Sequence, residues 1–369
     1  MGEEQGEGDT TPTIFPPYPE IPLNPPFIKG VSLKGRGSKF CGSCGLKRIF
    51  MGEYILEIVL CIIAFGLIAK GADWFTESAV RIAEISRVPK VVIGATIVSV
   101  ATSIPEFFVS VIAAFIGGQY CDMAVGNVIG SNSCNIGLAL GSCVLIKSFF
   151  THPRLSLQQG IIMLGCGGLL WLLTVGGEVS RWGGLLLVGL LLIYIFYSIR
   201  VTRAKRQITG FSQETASEKT LIQEIGWFIL GGVCLVIGSR ILISSGAKIA
   251  SALGVSRLII SLSLIAIGTS LPEWITVFAS ARKGHPQLAV GCIMGSNIVN
   301  ILWILGTSAL IRGLPIQPQT KNFDLPVMLG LSLLLVIFST TKNKLAHWEG
   351  GILLAGYIAY LTIMFTYFR

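Results

Sequence analysis

Ala101-Thr102-Ser103-Ile104-Pro105-Glu106 returns later in the chain as Gly268-Thr269-Ser270-Leu271-Pro272-Glu273. Around these stretches, residues 71–116 match residues 238–283 at a constant offset of 167, with no gap. Gly71 falls on Gly238, Ile82-Ala83 on Ile249-Ala250 and Val88 on Val255. After a two-residue deletion the match resumes at an offset of 165, with Ala124-Val125-Gly126 on Ala289-Val290-Gly291 and Gly130-Ser131-Asn132 on Gly295-Ser296-Asn297. Asn135-Ile136 then falls on Asn300-Ile301. Self-similarity on this scale marks a duplicated architecture. Duplication kept for packing alone would preserve glycines and aliphatics, whereas this one also preserves a carboxylate, hydroxyls and carboxamides.

The repeats lie in a chain of 369 residues that is 52% apolar and only 13% charged, against about 25% charged for a soluble domain. Apolar stretches long enough to cross about 30 Å of hydrocarbon recur from Tyr54 onward. They predict ten spans, at about 54–79, 89–117, 122–147, 157–175, 181–201, 222–250, 257–281, 287–311, 324–341 and 348–368. Lipid offers backbone N–H and C=O groups no partner, so each span is expected to be helical, and none alternates like a barrel strand. The expected fold is an all-α membrane protein, with 51–201 and 222–369 as five-helix repeats joined by a short cytoplasmic link at 202–221. Five is odd, so the second repeat enters from the opposite side and the repeats are inverted. Secondary transporters use that arrangement, binding cargo near the midplane where discontinuous helices meet.

The net charge of +9 does not indicate nucleic acid, because the basic residues sit between spans and form no aromatic-interleaved patch. They read as topology signals in cytoplasmic loops and place both termini outside, although Lys29, Lys34, Arg36, Lys39, Lys47 and Arg48 argue the other way. Residues 1–50, rich in proline, glycine and acidic residues, read as a disordered tail without a signal-peptide pattern. The Cys41/Cys44 pair has no second pair nearby to complete a zinc site, and the seven other cysteines fall in or beside apolar spans, where cysteine behaves as a small hydrophobe. His152, His285 and His347 lie at span ends and build no catalytic constellation, so the chain does not read as an enzyme.

Glu106 and Glu273 fall near the middle of the second and seventh spans, where an ionised carboxylate is costly without a partner. Neither has a lysine or arginine within reach on its own helix, so the missing positive charge is most simply a bound ion. Pro105 and Pro272 should open their helices and free carbonyls near Ser99, Thr102, Ala266 and Thr269. Two carboxylates with backbone oxygens suit calcium. Sodium, also a hard oxygen-seeking ion, could be ligated by Ser103, Ser270, Ser131, Ser296, Asn135 and Asn300 without added charge. Ser131 with Asn135, and Ser296 with Asn300, are spaced i, i+4 and so share a helix face. Hydroxyls and carboxamides in membrane helices also serve as interhelical glue, and Gly126, Gly130, Gly291 and Gly295 follow the small-xxx-small packing pattern.

The paired Thr-Ser-Ile/Leu-Pro-Glu and Gly-Ser-Asn motifs resemble the two α-repeats of the cation/calcium exchanger superfamily, and the resemblance covers nearly all of residues 54–369. It implies ten helices, alternating access and calcium exchange against sodium, commonly three sodium ions per calcium, in an integral protein of the cell membrane. It further implies that Glu106, Glu273 and the carbonyls of Thr102 and Thr269 hold calcium, and that Ser103, Ser131, Ser270, Ser296 and the carbonyls of Ser99 and Ala266 serve sodium. Asn300 stands where potassium-dependent members carry aspartate, which weighs against potassium co-transport. Cys292 stands where the first repeat has Asn127, so some asymmetry between the repeats is expected. Calcium/proton exchange, another divalent cargo, and a channel or calcium-binding scaffold are the competing readings. Calcium, sodium and the lipid bilayer are the expected partners, with no cofactor.

Overall fold

The computed structural model describes residues 42–86, 88–118, 120–208, 218–252, 270–340 and 344–367. Phe50–Arg369 forms one compact unit. The first repeat holds α1 (Gly42–Ser86), α2 (Lys90–Thr102), α3 (Ile104–Ile116), α4 (Tyr120–Ile146), α5 (Pro153–Gly176) and α6 (Arg181–Ile208). The second holds α7 (Glu218–Ala252), α8 (Leu271–Arg282), α9 (Pro286–Ile311), α10 (Thr320–Thr340) and α11 (His347–Tyr367).

Among the described residues, eight helices are long and apolar enough to cross a membrane, or nine with the bent pair α2 and α3 taken as one broken span. The expected seventh span is represented by α8, and residues 253–269 lie outside the described set, so ten spans are not counted. Helix α1 starts at Gly42 rather than near Tyr54, which makes Gly42 to Phe50 helical where a disordered tail was expected. Cys41 and the proline-rich stretch before it lie outside the described residues. Helices α6 and α7 likewise run into the expected link from both sides.

Burial follows the duplication. Helix α9 is almost wholly enclosed, with 94% of its apolar window buried, while the corresponding windows of α1 and α7 are only 28% buried. The central position of α9 requires close neighbours. A Cβ on Gly291 would overlap the carbonyl of Val91, and one on Gly295 would overlap Ala95, so α2 lies against the α9 backbone. For these two glycines the packing role anticipated from their spacing is the one seen.

Four two-residue strands tie the ends of the helices together. Strand β1 (Phe149–Phe150) pairs antiparallel with β4 (Lys344–Leu345), and β2 (Glu178–Val179) pairs antiparallel with β3 (Leu314–Pro315). Each ladder joins a loop of one repeat to a loop of the other, and exchange of the repeats converts one ladder into the other. Paired strands must share a side of the bilayer, so an even number of crossings separates β2 from β3. Helices α6, α7 and α9 supply three, and α8, as the end of a fourth, makes the number even. The strand pairing thus agrees with the inverted reading.

Helices α1 and α7 form an antiparallel pair closed by related contacts at its two ends. Glu57 accepts from Lys248 at 2.6 Å, and Glu224 accepts from Arg81 at 2.9 Å. Under the 167-residue offset Glu57 falls on Glu224 and Arg81 on Lys248, so the second bridge is the first with its halves exchanged. Between them Phe75 stacks on Phe228 with centroids 4.3 Å apart.

The α2/α9 contact has a measurable consequence. Gly291→Ala is expected to lower stability by about 1–3 kcal/mol, the usual cost of overpacking, seen as a lower unfolding midpoint in detergent. An unchanged midpoint would contradict the backbone contact.

Candidate cation site

Both copies of the motif fold into the same break. Ser103 leaves the helical path at φ −81°, ψ 5°, and Ser270 does so at φ −88°, ψ 7°. Each break is followed by a helix with proline in its first turn, α3 and α8, where the absent proline N–H needs no partner. Glu106 and Glu273 sit in those first turns, at the positive end of the helix dipole. Helices α2 and α3 meet at a 50° bend. The proline break does not free the Ser99 carbonyl, which accepts the Ser103 N–H at 3.0 Å and the Thr102 hydroxyl at 3.3 Å. The interruption falls at Ser103, next to Thr102. Ala266 and Thr269 lie outside the described residues.

The two carboxylates are enclosed together, each side chain belonging to a residue only 1% exposed. Ser103, three residues before Glu106, donates to Glu273 Oε1 at 3.3 Å, and Thr102 lies beside the same carboxylate. The charge of Glu273 acts on Glu106. Among basic groups Arg240, exposed on α7, reaches Glu106 with its field but is not ion-paired with it. Both oxygens of Glu106 and Oε2 of Glu273 are buried without a hydrogen-bond partner among the described residues. The same holds for Oδ1 of Asn135 and of Asn300, whereas the Ser270 and Ser296 hydroxyls meet the thiols of Cys134 and Cys292. A buried polar atom left unpaired costs about 1–3 kcal/mol, more when charged. Five such oxygens, on the matched pairs Glu106/Glu273 and Asn135/Asn300, make a set of lone pairs without a matching set of donors.

Helices α4 and α9 widen into π-helical turns at Asn135–Leu140 and Asn300–Leu305, each opening at the repeated asparagine. Such bulges re-aim side chains and recur at functional sites. Four carboxamides lock the helices across the axis between the repeats. Asn132 Nδ2 donates to the Asn297 carbonyl at 3.3 Å and Asn297 Nδ2 to the Asn132 carbonyl at 3.2 Å. Asn135 Nδ2 donates to Asn297 Oδ1 at 3.2 Å and Asn300 Nδ2 to Asn132 Oδ1 at 3.0 Å. The nitrogens of Asn135 and Asn300 are thereby used, which leaves each Oδ1 as an acceptor. Asn132 and Asn297 were absent from the sequence-derived site set, although their duplication in Gly-Ser-Asn was the available signal. Asn127 also escaped it: its Nδ2 donates to the Glu106 carbonyl at 3.2 Å and to Ser110 Oγ at 2.9 Å. Its counterpart Cys292 has no amide to do the same.

Of the other expected residues, Ser131 and Ser296 are buried on α4 and α9. The Ser99 hydroxyl is committed elsewhere, donating to the Gly94 and Cys292 carbonyls at 2.6 and 3.0 Å. Among the described residues no three His, Cys, Asp or Glu side chains gather into a metal cluster. The set is therefore two carboxylates supplemented by neutral oxygens, the chemistry of a hard cation rather than of zinc.

Inverted repeats, a helix broken at membrane depth and buried carboxylates at the junction define the class of secondary transporters. Comparison with known proteins narrows the class. The family model described as sodium/calcium exchanger protein matches residues 56–200 and 224–366, one match per repeat. The sodium/calcium exchanger MaX1 of Methanosarcina acetivorans is 30% identical over 350 residues, covering 84% of this chain and 99% of that protein. The inner membrane protein YrbG of Escherichia coli is 31% identical over 320 residues, covering 84% and 97%. A solved structure of the sodium-calcium exchanger NCX_Mj superposes with a TM-score of 0.73 at 28% identity, covering 84% of this chain and 99% of that one. The chain belongs to the sodium/calcium exchanger family and is a multi-pass integral membrane protein.

Because each carboxamide bonds to the other repeat, Asn132→Ala and Asn297→Ala should each destabilise the protein by about 1–3 kcal/mol through the orphaned partner. The hydrogen bonds of the two side chains share no atom, so the double variant should lose close to the sum. Thermal unfolding of all four proteins in one detergent measures this; a loss well short of the sum would show that the carboxamides act as one unit.

Proposed function

We propose that the protein is a secondary antiporter that exchanges sodium for calcium by alternating access, with Glu106 and Glu273 as the shared cation carboxylates. The observation that supports this reading most strongly is that both glutamates are buried with carboxylate oxygens that have no hydrogen-bond partner among the described residues. Two carboxylates match the charge of one calcium ion. The neutral oxygens of Asn135, Asn300, Ser270 and Ser296 can complete a six- to eight-oxygen shell or divide among several sodium ions. In this reading the Thr102 carbonyl and the Ser103 and Ser131 hydroxyls extend the set, as do Thr269 and the carbonyls of Ser99 and Ala266, with Ser99 the weakest member because its carbonyl is already bonded.

Coupling follows from electrostatics. An empty site would carry two uncompensated carboxylates through a low-dielectric passage, which costs several kcal/mol per ion. Either a calcium ion or a group of sodium ions removes that penalty, so the site crosses loaded. One cargo then returns in exchange for the other, across the cell membrane.

Proteoliposomes loaded with sodium and diluted into radiolabelled calcium provide the test. Calcium uptake is expected to require the outward sodium gradient, and Glu106→Gln or Glu273→Gln should reduce it at least 100-fold. Uptake indifferent to sodium but driven by a pH jump would replace sodium with protons, and flux that dissipates without exchange would indicate a channel.

A further inference from the structure

The contacts that close the α1/α7 pair are symmetric, but one contact between this pair and the rest of the protein is not. A buried apolar cluster there includes Phe75, Ala79 and Val80 of α1 with Ala279, Leu288 and Cys292 of the second repeat. At one end a half-buried cation adds a directed polar contact to this apolar surface. Lys283 Nζ lies 2.9 Å from Asp73 Oδ1 and 2.7 Å from Glu77 Oε1, and donates to the Asp73 carbonyl at 3.1 Å. All three ammonium hydrogens therefore have acceptors on α1. The Lys283 side chain is only 19% exposed, and it caps α8, whose first turn carries Glu273.

The surrounding charges are otherwise engaged. Glu84 pairs with Lys90 at 3.1 Å across the turn from α1 to α2, and Arg81 pairs with Glu224. His285 Nδ1 lies 3.4 Å from Lys90 Nζ, and burial, with Lys90 next in strength, holds the imidazole below its usual range. It therefore adds no positive charge to the cluster near neutral pH.

The repeat offset carries Asp73 to Arg240, Glu77 to Ser244 and Lys283 to Ile116. The equivalent place in the other repeat therefore has a cation, a hydroxyl and an alkyl group, which cannot form the same bridge. In a protein built of inverted repeats, contacts duplicated in both halves stabilise the two facings equally. A contact present once stabilises one facing over the other.

We propose that Lys283, with Asp73 and Glu77, is a one-sided latch that holds α1 against the Glu273 helix and sets the difference between the two faces of the transporter. Lys283 acts as a positioning residue, since it reaches the cation site only through α8. The inference rests on the alternating-access reading above.

The test uses the full chain in proteoliposomes of known orientation and measures the calcium concentration for half-maximal sodium-dependent flux on each face. Lys283→Met is expected to change the ratio of the two values at least threefold. Lys283→Arg should keep it within twofold of the native protein. Asp73→Asn combined with Glu77→Gln, which removes the latch from the other side, should move the ratio in the same direction as Lys283→Met. Amide hydrogen exchange is a second readout that needs no transport: peptides from the last three turns of α1 should exchange at least threefold faster in Lys283→Met. An unmoved ratio with sodium dependence intact overturns the latch alone, as does unchanged exchange. Absence of sodium dependence in the native protein instead overturns the exchange reading, and the hydrogen-exchange result then decides the latch by itself.

Discussion

Two carboxylates held out of water, beside one another and without an ion-paired lysine or arginine among the described residues, govern the rest of this structure. An arrangement of that kind is unstable as a bare protein, so the scaffold must both tolerate the charge and keep water from neutralising it. It does so by enclosing α9 almost completely, breaking helices where Glu106 and Glu273 emerge and tying Asn132, Asn135, Asn297 and Asn300 to the opposite repeat through their carboxamide nitrogens. The Oδ1 atoms of Asn135 and Asn300 are left as acceptors.

Much of this was legible in the chain because duplication exposes function. A single Glu in one apolar segment is ambiguous, but Glu106 and Glu273 recur with Pro105 and Pro272 at a fixed offset, and the structure buries both in the same way. The inverted arrangement was likewise readable from the parity of spans. What escaped notice depends on contacts across the axis between repeats. Asn132 and Asn297 bond to each other, and no helical periodicity within one segment reports a partner 165 residues away. The π-helical turns at Asn135 and Asn300 were equally silent, since the backbone widens in response to tertiary packing rather than to a local signal. The fate of the Ser99 carbonyl depended on where the helix breaks, and a proline bounds that position without fixing it. The helical start at Gly42 was missed because a proline-rich, polar composition dominates the segment that precedes it.

Symmetry and its violations divide the labour. The strand ladder and the ion pair closing α1 and α7 each occur twice, and the four-asparagine lock maps onto itself when the repeats are exchanged, so together they supply a framework that is indifferent to which face is open. Asn127 opposite Cys292, and Lys283 opposite Ile116, occur once. Departures of this kind are where one side of a transporter can acquire properties the other lacks, because they escape the equality that duplicated contacts impose.

The reciprocal strand ladders carry an implication for origins. Every one of their partners lies in the opposite repeat, so a five-helix ancestor would have exposed these edges until it met a second copy lying upside down in the same bilayer. Two separate chains could have assembled through the ladders and carboxamides seen here, before gene fusion joined them and let each half drift on its own.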